Sequence, residues 1–154
     1  MSMRRLETEA GAGPGPGVGV RPPGPEHRRM AVDLPAGTAA ARRARTLARE
    51  TLLRWGAGEP ADVDDVVLMV DELVSNAVVH GAGPVRLALR ADGVMVVGEI
   101  SDTSPLLPAP APTDLESEHG RGLWLVAMLA ADHGVRPEPV GKTVWFTRSV
   151  FGRA

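Results

Sequence analysis

A carboxylate and a carboxamide lie four residues apart in the segment Glu72-Leu-Val-Ser-Asn76. Apolar residues around them recur at helical spacing, so both polar side chains are expected on one face of a helix, one turn apart. Such a pair can orient a water or a hydroxyl and offer hard oxygen ligands to Mg²⁺. The alternative is an ordinary polar stripe at the edge of a helix. His80, one turn further on, either extends this site or simply ends the helix.

Two other polar residues stand where a strand ends or begins. Asp102 follows a predicted strand, and its carboxylate can accept a hydrogen bond from an exocyclic amine, although an aspartate there is also typical of a turn. Thr143 lies in the segment Gly141-Lys-Thr-Val-Trp-Phe146. Its hydroxyl either bonds a base or a bound water, or is satisfied by neighbouring strand residues.

The segment Gly120-Arg121-Gly122 stands directly before a predicted helix. Two glycines let backbone amides approach a phosphate, and the N-terminus of a helix favours an anion. The segment lacks the third glycine of a dinucleotide-binding fingerprint and the Gly-Lys-Ser/Thr of a P-loop. Arg121 is expected either to meet a phosphate or to face solvent.

The elements that must position these residues follow from hydrophobic periodicity and turn residues. Thr38 is predicted to cap the first helix, and residues 103–119, with four prolines, are predicted to form a long loop. Strands are predicted over 30–34, 85–90, 94–101, 135–140 and 143–149, and helices over 39–55, 62–80 and from Gly120 to His133-Gly134. This order predicts an α+β two-layer sandwich with a mixed, mostly antiparallel sheet and helices on one face.

Composition restricts the class of protein. The chain has 154 residues, 44% hydrophobic, with a net charge of −2, which argues against binding nucleic acid by bulk electrostatics. It has no Cys, which excludes disulfides, thiolate metal sites and a cysteine nucleophile. No apolar run is long enough for a membrane span, and no secretory signal is recognised, so a cytoplasmic protein is expected. Residues 11–25 contain 11 Gly or Pro, so 1–27 are predicted to be a disordered arm preceding one domain over 28–154.

Taken in order, these segments resemble the motifs of the GHKL ATPase superfamily, whose members share the Bergerat ATP-binding fold. The segment ELVSNAVVHG resembles its N-box, SDTSP its first glycine box, HGRGLWLV its second and GKTVWF its terminal strand. The spacing agrees, with 26 residues from Asn76 to Asp102 and 21 from Gly122 to Thr143. The resemblance covers about residues 30–149 and is most specific for the short branch of anti-sigma factors and serine-protein kinases.

The resemblance implies a role for each candidate residue. Glu72 would be the general base and Asn76 the Mg²⁺ ligand within an ATP site. Asp102 would anchor the adenine, and Thr143 would be a second base contact. The phosphate-binding segment would comprise Gly120, Arg121, Gly122 and Leu123. The partners implied are a sigma factor, an antagonist protein (an anti-anti-sigma factor), or both, and the branch also allows a homodimer.

Three hypotheses about function therefore stand. The first is an anti-sigma-type kinase that uses Mg²⁺-ATP to phosphorylate a serine or threonine of a small antagonist protein, which the Glu72 carboxylate favours. The second is a catalytically weak or inactive partner-switch protein that sequesters a sigma factor or antagonist. It is favoured by the segment after Asp102, which has neither glycine of the family's D-x-G-x-G. The third is an α+β interaction module without a nucleotide.

Overall fold

A computed structural model describes residues 28–80, 83–104 and 118–152 of the chain. Its strands and helices follow one another as β1 (Arg29–Leu34), α1 (Ala40–Arg54), α2 (Pro60–His80), β2 (Val85–Asp92), β3 (Met95–Asp102), α3 (Glu118–Leu129), β4 (Asp132–Pro137) and β5 (Lys142–Ser149). The predicted arm over 1–27 and most of the predicted proline-rich loop, residues 105–117, lie outside the described residues.

The five strands form one sheet in the order β1-β2-β3-β5-β4, and every neighbouring pair is antiparallel. The α+β architecture is therefore confirmed, and its sheet is fully antiparallel rather than mixed. Hairpins join β2 to β3 and β4 to β5, whereas α3 carries the chain from β3 to the far edge of the sheet.

One face of the sheet forms the core together with the helices. Side chains alternate between the two faces of a strand, and the apolar residues of β2, β3 and β5 that join the core follow that alternation. They are Val85, Leu87, Leu89, Ala91, Val96, Ile100, Val144 and Phe146. They pack in one cluster with apolar residues of α1, α2 and α3. On the opposite face, Arg86 and Arg90 of β2 are exposed, so the helices cover a single face, as predicted.

Two predicted helix ends differ from the structure. The residue before α1 is Ala39, without a capping side-chain hydrogen bond, so Thr38 is not the N-cap that the sequence predicted. The second helix starts at Pro60 rather than Asp62, because proline is well tolerated in the first turn, where its missing N–H has no partner to lose.

The third helix also starts and ends earlier than predicted. It begins at Glu118, so the two glycines lie inside its first turns rather than before it, and it ends at Leu129. The predicted terminator His133-Gly134 is part of β4. The Ala131 N–H donates to the Thr147 carbonyl, which draws the chain into the sheet immediately after the helix. Gly134 then lies directly against the indole of Trp145, where any side chain would collide.

Arg148 joins both site-bearing helices to the sheet. Its guanidinium donates to the Leu129 carbonyl at the end of α3 and pairs with Asp62 and Asp65 at the start of α2, at 2.8 and 2.7 Å. Burial by itself lowers the pKa of Arg148, but the hydrogen bonds and charges of the two aspartates outweigh it and raise that pKa. The contact places the start of α2 beside the end of β5. The second half of α2 therefore extends towards the opposite end of the sheet, where β5 begins and β3 ends.

Candidate nucleotide site

Glu72 and Asn76 lie one turn apart on α2, and both side chains are half-buried. The start of α3 packs directly on them. A Cβ added at Gly122 would lie 2.5 Å from Asn76 Nδ2 and 3.4 Å from Glu72 Cβ. Only glycine allows the backbone of α3 to approach Asn76 this closely. The structure thus brings together three residues that the sequence separates by about fifty positions.

This corner has the chemistry of a metal–phosphate site. The first four N–H groups of a helix have no partner within the helix, and in α3 these belong to residues 118–121, which include Gly120 and Arg121. Gly122, the next residue of the helix, packs against the Asn76 carboxamide and the Glu72 side chain. Oxygen atoms of those two groups are the ligands that Mg²⁺ prefers, while helix N-termini favour anions. The donor set of this corner therefore fits Mg²⁺ with phosphate.

Asp102 ends β3 on the face that the helices cover, and it pairs with Lys142 at the start of β5. The Lys142 ammonium lies 3.0 Å from Asp102 Oδ1, and both side chains are about 95% buried. The same oxygen accepts a hydrogen bond from the Ser104 N–H at 2.8 Å. Gly141, at φ +85°, lets the β4–β5 turn lie against the Asp102 backbone, where a Cβ would overlap the Asp102 carbonyl. The end of β3 and the β4–β5 turn therefore pack directly against each other.

Thr143 points to the other face of the sheet. In the register it pairs with Ser101, and their hydroxyl oxygens lie 2.7 Å apart. Thr143 also donates to Glu138 Oε2 at 3.0 Å. A hydrogen bond from Arg136, then the one from Thr143, lowers the pKa of Glu138. The structure therefore does not bring Thr143 to Asp102, and its hydroxyl is satisfied by neighbouring strand residues.

The remaining predicted residues have separate positions. Leu123 is buried in the core, at 9% exposure, so its side chain packs against apolar neighbours. His80 is the last residue of α2 and is exposed. Within the described part of the chain, no group of three His, Cys, Asp or Glu side chains could hold a metal ion.

Lys142, which contacts the predicted site residue Asp102, was not among the residues that the sequence predicted for the site. It is the only lysine of the chain. Strand alternation could have found it, because Val144 and Phe146 are core residues and Lys142 has the same parity along β5. Thr143 has the opposite parity and must lie on the opposite face.

Residues 34–148 match the family model described as the histidine kinase-like ATPase domain. This match spans about three quarters of the chain and contains the N-box segment, the glycine segment and the terminal strand. The chain belongs to the histidine kinase-like ATPase family. The resemblance of its motifs to histidine kinase-like ATP-binding domains is thereby confirmed.

A solved structure supports the same fold for this family member. The RsbU and RsbW domains of Rv1364c from Mycobacterium tuberculosis match it with a TM-score of 0.64 and 24% identity, over 82% of this chain. The match covers 33% of that longer chain, so the family domain here corresponds to about a third of it. No curated protein matches the sequence. None of the described helices is long and apolar enough to cross a membrane.

Proposed function

We propose that this histidine kinase-like ATPase domain is an ATP-binding regulator of the anti-sigma kinase type, which phosphorylates a serine or threonine of a small antagonist protein. The observation that carries the proposal is the packing of Gly122 on Asn76 and Glu72. This packing joins the first turns of α3 to a carboxamide and a carboxylate, and helix N-termini with such oxygen ligands suit metal-bound phosphates. When bound, Mg²⁺-ATP supplies the phosphoryl group and the charge that stabilises its transfer.

Each residue of the proposed site has a separate role. Asn76 holds the metal through its amide oxygen, and the amides at the start of α3 orient the phosphates. The Glu72 carboxylate accepts the proton of the attacking serine or threonine hydroxyl. Asp102 contributes the acceptor that recognises an exocyclic amine of the base. The motif resemblance supports a sigma factor or its antagonist as the partner, and the cytoplasm as the location.

The test is binding of Mg²⁺-ATP measured by thermal unfolding and by calorimetry. A ligand that binds only the folded state stabilises it by about 2.7 kcal/mol at a hundred times its dissociation constant. We therefore expect a higher melting temperature with ATP and Mg²⁺ together, and a smaller rise when EDTA removes the metal. Unchanged melting at millimolar Mg²⁺-ATP, with no heat of binding, would refute the proposal.

A second candidate function is a partner-switch protein that sequesters its partner without phosphorylating it. One observation favours it: Asp102 Oδ1 already accepts hydrogen bonds from Ser104 and Lys142, so protein contacts alone hold this strand end in place. Incubation of labelled ATP with sigma factors and antagonists encoded by the same genome separates the two functions. Labelling of an antagonist supports the kinase, whereas stable co-purification without labelling supports sequestration.

A further inference from the structure

The buried ion pair between Asp102 and Lys142 is incompletely hydrogen-bonded. An ammonium group has three N–H donors, and a carboxylate oxygen accepts about two hydrogen bonds. The Lys142 ammonium makes one hydrogen bond in the described part of the chain, to Asp102 Oδ1, which also accepts from the Ser104 N–H. Over residues 28–80, 83–104 and 118–152, Asp102 Oδ2 receives no hydrogen bond, and two N–H donors of Lys142 have no acceptor.

Buried charged groups rarely leave hydrogen-bond donors and acceptors without partners. The two side chains are 6% and 5% exposed, and burying a charge is costly unless its hydrogen bonds are satisfied. An ion pair that served only stability would be expected to find further partners within the protein. Here Asp102 Oδ2 and two N–H groups of Lys142 belong to side chains in contact, on the sheet face that α2 covers. The pair therefore offers a hydrogen-bond acceptor next to hydrogen-bond donors.

An adenine ring presents the complementary pattern. Its exocyclic amine is a donor, and the neighbouring ring nitrogen N1 is an acceptor. We propose that Lys142 is the second base contact of this site and donates to N1, while Asp102 Oδ2 accepts from the amine. The Thr143 hydroxyl, which the motif resemblance offered for this role, lies on the opposite face of the sheet and bonds Ser101 and Glu138. This inference rests on the proposed function, since it requires an adenine nucleotide as the ligand.

Analogues of the base test the inference on the unaltered protein. Calorimetry of the full chain with Mg²⁺ would compare ADP with 1-deaza-ADP, in which N1 is replaced by CH. Loss of a hydrogen bond to a charged donor weakens binding by about tenfold to a hundredfold. We expect that loss for 1-deaza-ADP, and a similar loss for the purine analogue without the exocyclic amine. GDP should bind more weakly than ADP.

Substitution of the lysine identifies the donor. Lys142→Met should bind ADP more weakly. It should also no longer distinguish ADP from 1-deaza-ADP, because removal of the acceptor N1 has no further effect once its donor is absent. Lys142→Met alone leaves the buried Asp102 carboxylate without its cation. If this variant does not fold, the double variant Lys142→Met/Asp102→Asn, which removes that charge, takes its place in the comparison of the two nucleotides. Thr143→Val is the matched control, and it should keep the full difference between the two nucleotides.

The outcomes separate this inference from the proposed function. If wild type binds ADP and 1-deaza-ADP equally, or binds GDP as tightly as ADP, the role of Lys142 is wrong while nucleotide binding stands. If Thr143→Val rather than Lys142→Met abolishes the difference, the second contact is Thr143. If no nucleotide binds with Mg²⁺, the proposed function and this inference both fail.

Discussion

Glu72 and Asn76 are neighbours on α2, yet their expected roles differ in when they act. A general base acts only as the hydroxyl attacks, whereas a metal ligand already acts in the bound ground state. Glu72→Gln should therefore leave Mg²⁺-ATP binding nearly intact and lower phosphoryl transfer by roughly 10²–10⁴. Asn76→Ala should lose both turnover and the Mg²⁺-dependent part of binding. Calorimetry and transfer of labelled phosphate to the antagonist measure the two effects.

Ser75→Ala is the matched control, because Ser75 lies on the same turn of α2 but on a different face from Asn76. It should behave as wild type in both assays. If no protein is labelled by wild type, yet a sigma factor or antagonist co-purifies with wild type and Glu72→Gln alike, the kinase role is wrong. Equal loss of ATP binding in Glu72→Gln and Asn76→Ala would contradict the separation of their roles.

Gly122 tests the contact between the two helices. A Cβ there would meet the Asn76 amide at 2.5 Å, and the flexible amide can move away more easily than the backbone. Alanine is also a better helix former than glycine, by up to about 1 kcal/mol. Gly122→Ala should therefore keep or raise the melting temperature while it weakens Mg²⁺-ATP binding. Gly58→Ala, with open space around its Cβ, should leave binding unchanged; weakening by both variants alike would contradict the assignment.

At the scale of elements, Arg148 holds the start of α2 and the end of α3 against β5. Its side chain is 19% exposed, and its loss would leave Asp62 and Asp65 without their cation. Hydrogen bonds to charged groups contribute about 1.5–3 kcal/mol. Arg148→Met should therefore lower the free energy of unfolding by about 2 kcal/mol, measured by urea unfolding. It should also weaken Mg²⁺-ATP binding, because both site-bearing helices lose a shared anchor.

Arg86 offers the matched control for this substitution. It lies on the uncovered face of β2 and pairs with Asp33, with both side chains more than half exposed. Exposed ion pairs contribute little, so Arg86→Met should change the unfolding free energy by less than about 0.5 kcal/mol. Similar losses for Arg86→Met and Arg148→Met would show that Arg148 has no special role in positioning the helices.

At the scale of the whole molecule, the folded unit is expected to begin near residue 28. Arg28 donates to the Trp55 carbonyl and stacks over the Phe151 ring, and β1 follows directly. The preceding residues are rich in Gly and Pro and have few apolar side chains to bury. A chain that starts at residue 28 should therefore melt within about 2 °C of the full chain and bind Mg²⁺-ATP with the same affinity.

A shorter chain, starting at residue 30, provides the comparison. It removes Arg28 and the first residue of β1, which pairs with Arg90, so it should melt at a lower temperature. Circular dichroism with temperature measures all three chains. A large loss on removal of residues 1–27 alone would show that this segment packs on the domain.

The sequence by itself determined the elements, their order and the α+β class. Helices and strands arise from residues a few positions apart, so the apolar spacing in 62–80 and the alternation in 85–90 could be interpreted locally. The proximity of Glu72 and Asn76 could be predicted for the same reason, since one helical turn joins them. Glycine and proline positions located the turns, although element ends shifted where tertiary contacts competed, as when β5 drew Gly134 into a strand.

The tertiary structure decided which distant residues meet. The packing of α3 on α2 places Gly122 against Asn76, and no local pattern encodes that approach. The register of β3 with β5 pairs Asp102 with Lys142, forty positions apart, and turns Thr143 to the outer face. Such contacts depend on how whole surfaces fit together and which polar groups burial forces into pairs. The side chain that faces Asp102 was therefore decided by the sheet register rather than by motif similarity.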